Sequence, residues 1–336
     1  MSEGDFGSKP IEYPVRIIEG LHGGDYTFEQ VVADLIDNSI DANANSVEVI
    51  IDKQDMGLEK KKYTVGMQGS EKLFCIVLDN GTGIASEERL LEVMSRGVSR
   101  PKDNPYKEYE LGSFGVGLKE SSLSQAYEIT IFSKIEGGEL NIIRLSSHAI
   151  KSYNKDILLN ENELEPWMKM TKGYKNCLEY LKNQNKGTAV LLEGLHKMEL
   201  EIGQGDRTVW DDLIEQRVRN YLGLVFHKYI DGALIPLTDG RKVEKKIALC
   251  YGGPRNRIKS LDPFCQDPKW KTGLSTGTIG RTTTFDTHVG DEVKKLRVSA
   301  WFIPHKKHPG RTSHQERMRS TKRINSILTM HGVYVY

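Results

Sequence analysis

Apolar positions along this chain follow two alternating periods. From Phe28 to Ile40 the residues Phe28, Val31, Val32, Leu35, Ile36 and Ile40 recur at helical spacing. Thr27, with Gln30 three residues later, forms a capping box in front of that run and predicts a helix start there. Strand-like runs follow at 46–52, 72–79, 128–135, 139–146 and 188–193, with helical patterns at 86–95, 115–126 and 165–182. The runs on either side of Gly137 and Gly138 read as a hairpin. The even strand-helix-strand rhythm of a doubly wound sheet is absent. The pattern therefore predicts an α+β fold, a mixed and largely antiparallel sheet with helices on one face.

A second unit is expected from Gly203, which divides the chain into 1–202 and 203–336. Trp210, Leu213, Ile214, Val218, Tyr221, Leu222 and Val225 mark a long amphipathic helix. Strand signals follow in ALIPLTDGRKVE, KKIALC, KLRVSAWFIP and HGVYVY. The last of these stops at Tyr336 inside an aromatic β-run, so the sequence reads as part of a longer parent.

Length and composition narrow the class. The 336 residues suffice for two domains, each with its own core. No apolar run is long enough to span a bilayer, and no basic start leads into an apolar stretch. The expected compartment is the cytoplasm, or the nucleus in a eukaryote. Cys75, Cys177, Cys250 and Cys265 are scattered without a CxxC pair, which favours free thiols over a disulfide framework or zinc knuckle. Net charge is +1, yet residues 1–205 hold 23 Lys+Arg against 33 Asp+Glu and residues 206–336 hold 24 against 13. The basic half is a candidate for meeting an anionic partner, with a solvated basic face as the alternative.

The first helix carries the sharpest chemical signal. At about 100° per residue, Asn38 lies roughly 40° from Asp34, Asp41 roughly 20° to the other side and Asp37 roughly 60° away. Such a stripe of carboxylates and an amide calls for a cation, a donor-rich ligand or solvent. Two glycine motifs point to the ligand. DNGTGI (79–84) places Asp79 at a strand end, where Gly81 and Gly83 permit a turn that brings backbone close to a ligand. LGSFGVGLKESS (111–122) runs through Gly112, Gly115 and Gly117 into a helix, an arrangement that can cradle phosphate, although it is not a Walker A sequence. KGTAVLL (186–192) adds a Gly-Thr opening a strand.

In this order, the acidic-x-x-x-Asn helix, DxGxG, GxxGxG and Gly-Thr resemble the Bergerat-fold ATP site of the GHKL superfamily, over about residues 20–195. That superfamily includes gyrase B, the HtpG-type chaperone, MutL, MORC proteins and sensor histidine kinases. The remainder is similar, more weakly, to the transducer domain of MORC-like and MutL-like members. The resemblance implies an α/β sandwich that binds ATP and Mg, followed by a transducer-like domain. It implies Asn38 as the Mg²⁺ ligand and Asp79 as acceptor of the adenine amine, supported by Thr188. Gly81, Gly83 and Ile84 would let the purine lie against backbone. Gly112, Ser113, Phe114, Gly115, Val116 and Gly117 would offer amides to the phosphates. Lys119 would add charge there, its alternative being a solvated helix lysine.

Asp34 departs from the family pattern, in which hydrolysing members carry Glu four residues before the Asn. Either Asp34 is still the base, or hydrolysis is slow and the chain is an ATP-binding switch. Lys306 or Lys307 stands for the transducer lysine that reaches the γ-phosphate. By resemblance, ATP closes a lid and joins two copies into a homodimeric clamp that could grip DNA or another protein through the basic half. The alternatives are a non-hydrolysing scaffold and a histidine kinase catalytic domain. The kinase needs a phosphoacceptor hairpin before the first helix, where only about 25 residues precede.

Overall fold

The computed structural model describes residues 20–55, 71–94, 117–146, 157–159, 161–164, 166–198, 207–236, 241–261, 278–289 and 292–302. They form two compact units. One contains the described residues up to Leu222 together with Lys228–Lys259, and the other contains Gly223–His227 and those from Ser260 onward.

Helix α1 (Phe28–Asp41) starts where its capping box predicts. The Thr27 hydroxyl accepts from the Gln30 N–H at 3.3 Å while the Gln30 side chain accepts from the Thr27 N–H at 2.9 Å, satisfying two otherwise orphan donors. Phe28, Val31, Val32, Leu35, Ile36 and Ile40 are all buried. At the far end Asn43 takes a positive φ of 58°, and Lys245 Nζ donates to the Ile40 carbonyl at 3.3 Å and to Asn43 Oδ1 at 2.6 Å. A cation there complements the negative end of the helix dipole.

The central sheet has seven strands in the order β5-β4-β3-β6-β2-β1-β9. They are β1 (Ser46–Asp55), β2 (Glu71–Asp79), β3 (Ala126–Lys134), β4 (Asn141–Ser146), β5 (Ile157–Leu159), β6 (Gly187–Leu195) and β9 (Ala248–Tyr251). Every pairing is antiparallel except that of β1 with β9. β9 lies beyond residue 203, where the sequence suggests a second domain, yet it completes the first unit's sheet. The remaining helices of this unit are α2 (Glu87–Met94), α3 (Gly117–Leu123), α4 (Pro166–Met170), α5 (Lys172–Lys182), α6 (Arg207–Val225), whose last turn passes into the second unit, and α7 (His227–Asp231).

Helices cover both faces of the sheet, where the sequence pattern suggests one. Phe74, Ile76 and Leu78 point from β2 into a core with Trp167, Tyr174, Cys177 and Leu181 of α4 and α5. Asp79, next in the alternation, points the other way and meets α1. Period-2 alternation alone distinguishes two faces but does not say which helix covers each.

One buried polar cluster draws on four strands. Arg144 is fully buried and donates to Glu128 at 3.2 Å, Thr130 at 2.8 Å and Glu193 at 2.7 Å. Gln54 donates to the second oxygen of Glu193 at 2.9 Å and accepts from the Gly173 N–H at 3.3 Å. With its partners in place the charge is satisfied, and the register of β3, β4 and β6 is tied to it.

β7 (Ala233–Pro236) and β8 (Lys242–Lys245) pair as a hairpin in the first unit. In the second unit β10 (Thr278–Val289) and β11 (Glu292–Phe302) form a long antiparallel pair, of which the sequence pattern indicates only β11. The run Thr282–Thr283–Thr284 in β10 has β-branched residues but no apolar alternation to announce a strand. The strand expected at HGVYVY lies outside the described residues.

Candidate functional site

β2 ends at Asp79, and the chain there turns back against the end of α1. The Asp79 carboxylate is buried and receives two well-placed donors, the Ser39 hydroxyl at 3.0 Å and the Gly81 N–H at 2.8 Å. The Thr188 backbone N–H adds a third. Burial pushes the Asp79 pKa up to about 6, and these three hydrogen bonds pull against it. A carboxylate held this way has a fixed orientation and lone pairs left to accept from a ligand amine.

Backbone approach requires glycine at two points around it. Gly187, φ +142°, passes so close to Asp79 that a Cβ would lie 2.1 Å from the Asp79 carbonyl oxygen. A Cβ on Gly83, φ +74°, would lie 2.0 Å from the Lys134 carbonyl oxygen. Neither position admits a side chain.

Asn80 fastens the same turn to β1. Its side-chain oxygen accepts from the N–H groups of Asn45 and Ser46, both at 3.0 Å, and its amide donates to Asn45 Oδ1 at 2.7 Å. On the far side Ser133 Oγ accepts from the Ile84 N–H at 2.9 Å and lies 2.9 Å from the Thr188 hydroxyl. Asp79, Gly81, Gly83, Ile84 and Thr188 therefore converge, as the motifs predict. Ser39, Asn80 and Ser133 join them although the motif reading passed over all three. Ser39 and Asn80 are the immediate neighbours of Asn38 and Asp79, which was the available signal. Ser133 has none in sequence and is brought in by its cross-strand pairing with Thr188.

The polar stripe of α1 is real. Asn38 is exposed, and Asp34, Asp37 and Asp41 are half-buried between buried apolar neighbours. Desolvation raises the Asp34 pKa, with a hydrogen bond from Ser121 opposing it. Asp37 is pushed to about 7 by desolvation and by the charges of Asp34 and Asp41. Such a crowd of carboxylates is relieved by a bound cation, and Asn38 presents a neutral amide oxygen suited to a hard one. The donor set thus fits Mg²⁺ held jointly by Asn38 and ligand oxygens. Among the described residues no group of three or more His, Cys, Asp or Glu forms a metal cage of its own.

Gly117 opens α3, and Lys119 is buried in that helix at 1 % exposure, which removes the solvated reading of this lysine. Gly112, Ser113, Phe114, Gly115 and Val116 lie outside the described residues, as do Lys306 and Lys307. No helix among the described residues is long and apolar enough to cross a membrane.

No curated protein matches the chain. Residues 26–188 match the model of the family described as histidine kinase-, DNA gyrase B-, and HSP90-like ATPase. That range runs from just before α1 to the Gly-Thr of β6 and encloses the whole cluster around Asp79. Residues 26–188 are therefore similar to a GHKL-type ATPase domain, and the cluster around Asp79 lies within that match.

Proposed function

We propose that the chain is a slow, Mg-dependent ATP hydrolase that works as a conformational switch. The observation that carries this reading is the Asp79 carboxylate, buried and oriented by Ser39 and Gly81 at one end of α1, with Asp34 and Asn38 on the open stripe of the same helix. The first group selects an adenine amine by accepting its hydrogen, and the second lies one helical turn apart for phosphate chemistry. Mg²⁺, when bound, would be held by Asn38 and would neutralise phosphate charge. Asp34 is the general base: desolvation raises its pKa, which strengthens it as a proton acceptor.

ATP closes a lid running from about residue 96 to 117, whose residues 112–117 offer amides to the phosphates, Lys119 and either Lys306 or Lys307 add positive charge there, and two copies join as a clamp. The transducer-like segment 203–336, basic from residue 206 onward, then grips DNA or another anionic partner. A non-hydrolysing scaffold is the second reading, favoured by the shorter side chain at position 34.

Phosphate release, ATP binding and sedimentation decide between them. The switch predicts that Asp34→Asn binds ATP but loses turnover, that Asp79→Asn loses binding, and that the unmutated chain dimerises with ATP. ATP binding with no phosphate release in the unmutated chain would establish the scaffold instead.

A further inference from the structure

Helix α3 leaves the glycine run at Gly117 and packs against α1. Ser121 on this helix is fully buried, and its hydroxyl is hydrogen-bonded to the Asp34 carboxylate. The seat of that hydroxyl is firm, because the Ser121 carbonyl accepts from the Ser124 N–H at 3.1 Å and from the Ser124 hydroxyl at 2.6 Å. At the buried Ser121 position alanine would pack without a polar group to satisfy. A buried hydroxyl there needs a partner, and the carboxylate is that partner.

The length of the acidic side chain gives the contact its significance. Aspartate keeps its carboxylate close to the helix, so little beyond rotation about its last torsion decides where its oxygens point. A charge-assisted bond to one oxygen fixes that rotation and leaves the other lone pairs facing away from α3.

We propose that Ser121 is a positioning residue for Asp34, holding its carboxylate in the orientation that takes a proton from the attacking water and coupling that orientation to the helix that ends the glycine run. The proposal rests on the reading of Asp34 as the base. In that step the water oxygen bonds to the γ-phosphorus and the bond from this phosphorus to the β–γ bridging oxygen breaks. The water proton passes to Asp34, and the bridging electron pair leaves with ADP.

The test measures kcat and KM for MgATP between pH 5 and 9 on the full chain and on Ser121→Ala, Ser121→Thr and Asp34→Asn, with binding of a fluorescent ATP analogue in parallel. Ser121→Ala should lower kcat about tenfold with little change in KM, and should move the acid limb of the kcat profile to higher pH. Ser121→Thr, which keeps the hydroxyl, should restore most of the loss. An unshifted profile and unchanged kcat in Ser121→Ala, with Asp34→Asn inactive, overturn the positioning role alone. Full turnover in Asp34→Asn overturns the base itself and the proposal with it. Should Ser121→Ala fail to bind the analogue, Ser121→Cys, similar in size but a weak donor, decides on the same criteria.

Discussion

The Gly187 backbone runs so close to Asp79 that a Cβ on Gly187 would stand 2.1 Å from the Asp79 carbonyl oxygen. The end of β2 and the start of β6 are locked together at the buried Asp79 carboxylate. Gly187→Ala should cost about 3 kcal/mol or more, since the strained φ and the backbone clash act together. Gly137, also at positive φ but with nothing within 4 Å, should lose only about 1 kcal/mol as alanine. Urea unfolding of the two variants provides the comparison, and equal losses would contradict this account.

Asp79 is expected to weigh against the empty fold. Its folded pKa of about 6 lies above the ordinary 3.8, so its contribution to stability is fully present below pH 3.8 and is lost as pH rises through 6. At pH 8 Asp79→Asn should therefore raise stability by on the order of 2 kcal/mol, a gain that vanishes towards pH 4, while ATP binding is lost. Thermal melts at the two pH values check the sign; a variant less stable at pH 8 would refute it.

Arg144→Met should be severely destabilising. It strands the carboxylates of Glu128 and Glu193 inside the sheet, which costs about 3–5 kcal/mol. Replacing all three by apolar residues of similar size should recover much of the loss, because the cost lies in the unpaired charges. Denaturant midpoints of the single and triple variants measure the difference.

His196 sets an acid limit. Burial, aided by the charge of Lys197, holds its pKa near 4, against a hydrogen bond with Leu123 that favours the cation. Its rings pack with those of Tyr127 and His22, at centroid distances of 4.8 and 5.1 Å. A depressed pKa contributes stability that is present above about 6.5 and lost as pH falls towards 4. His196→Phe should flatten the melting temperature across that interval relative to the unmutated chain.

The legible parts of this protein are those whose signal is local. The Thr27–Gln30 cap, the stripe from Asp34 to Asp41 and the glycines flanking Asp79 each follow from residues within a few positions of one another. Ser133 and Ser121 reach the site through pairing and packing with distant segments, so nothing beside them in the chain announces their roles. The run KKIALC announces β9 as a strand but not as a neighbour of β1, because a strand pattern carries no address. Lys119 shows the same limit, since the family resemblance implies charge near the phosphates but does not show that the side chain is enclosed.

The parallel entry of β9 beside β1 bears on how the protein is made. Six strands of the sheet have been synthesised by Leu195, while the outer side of β1 waits for residues 248–251. A chain emerging from the ribosome therefore carries an open strand edge while α6 is being produced, and an open edge is a template for pairing with another nascent chain. Any fragment meant to fold alone must reach at least Tyr251, where that edge is closed.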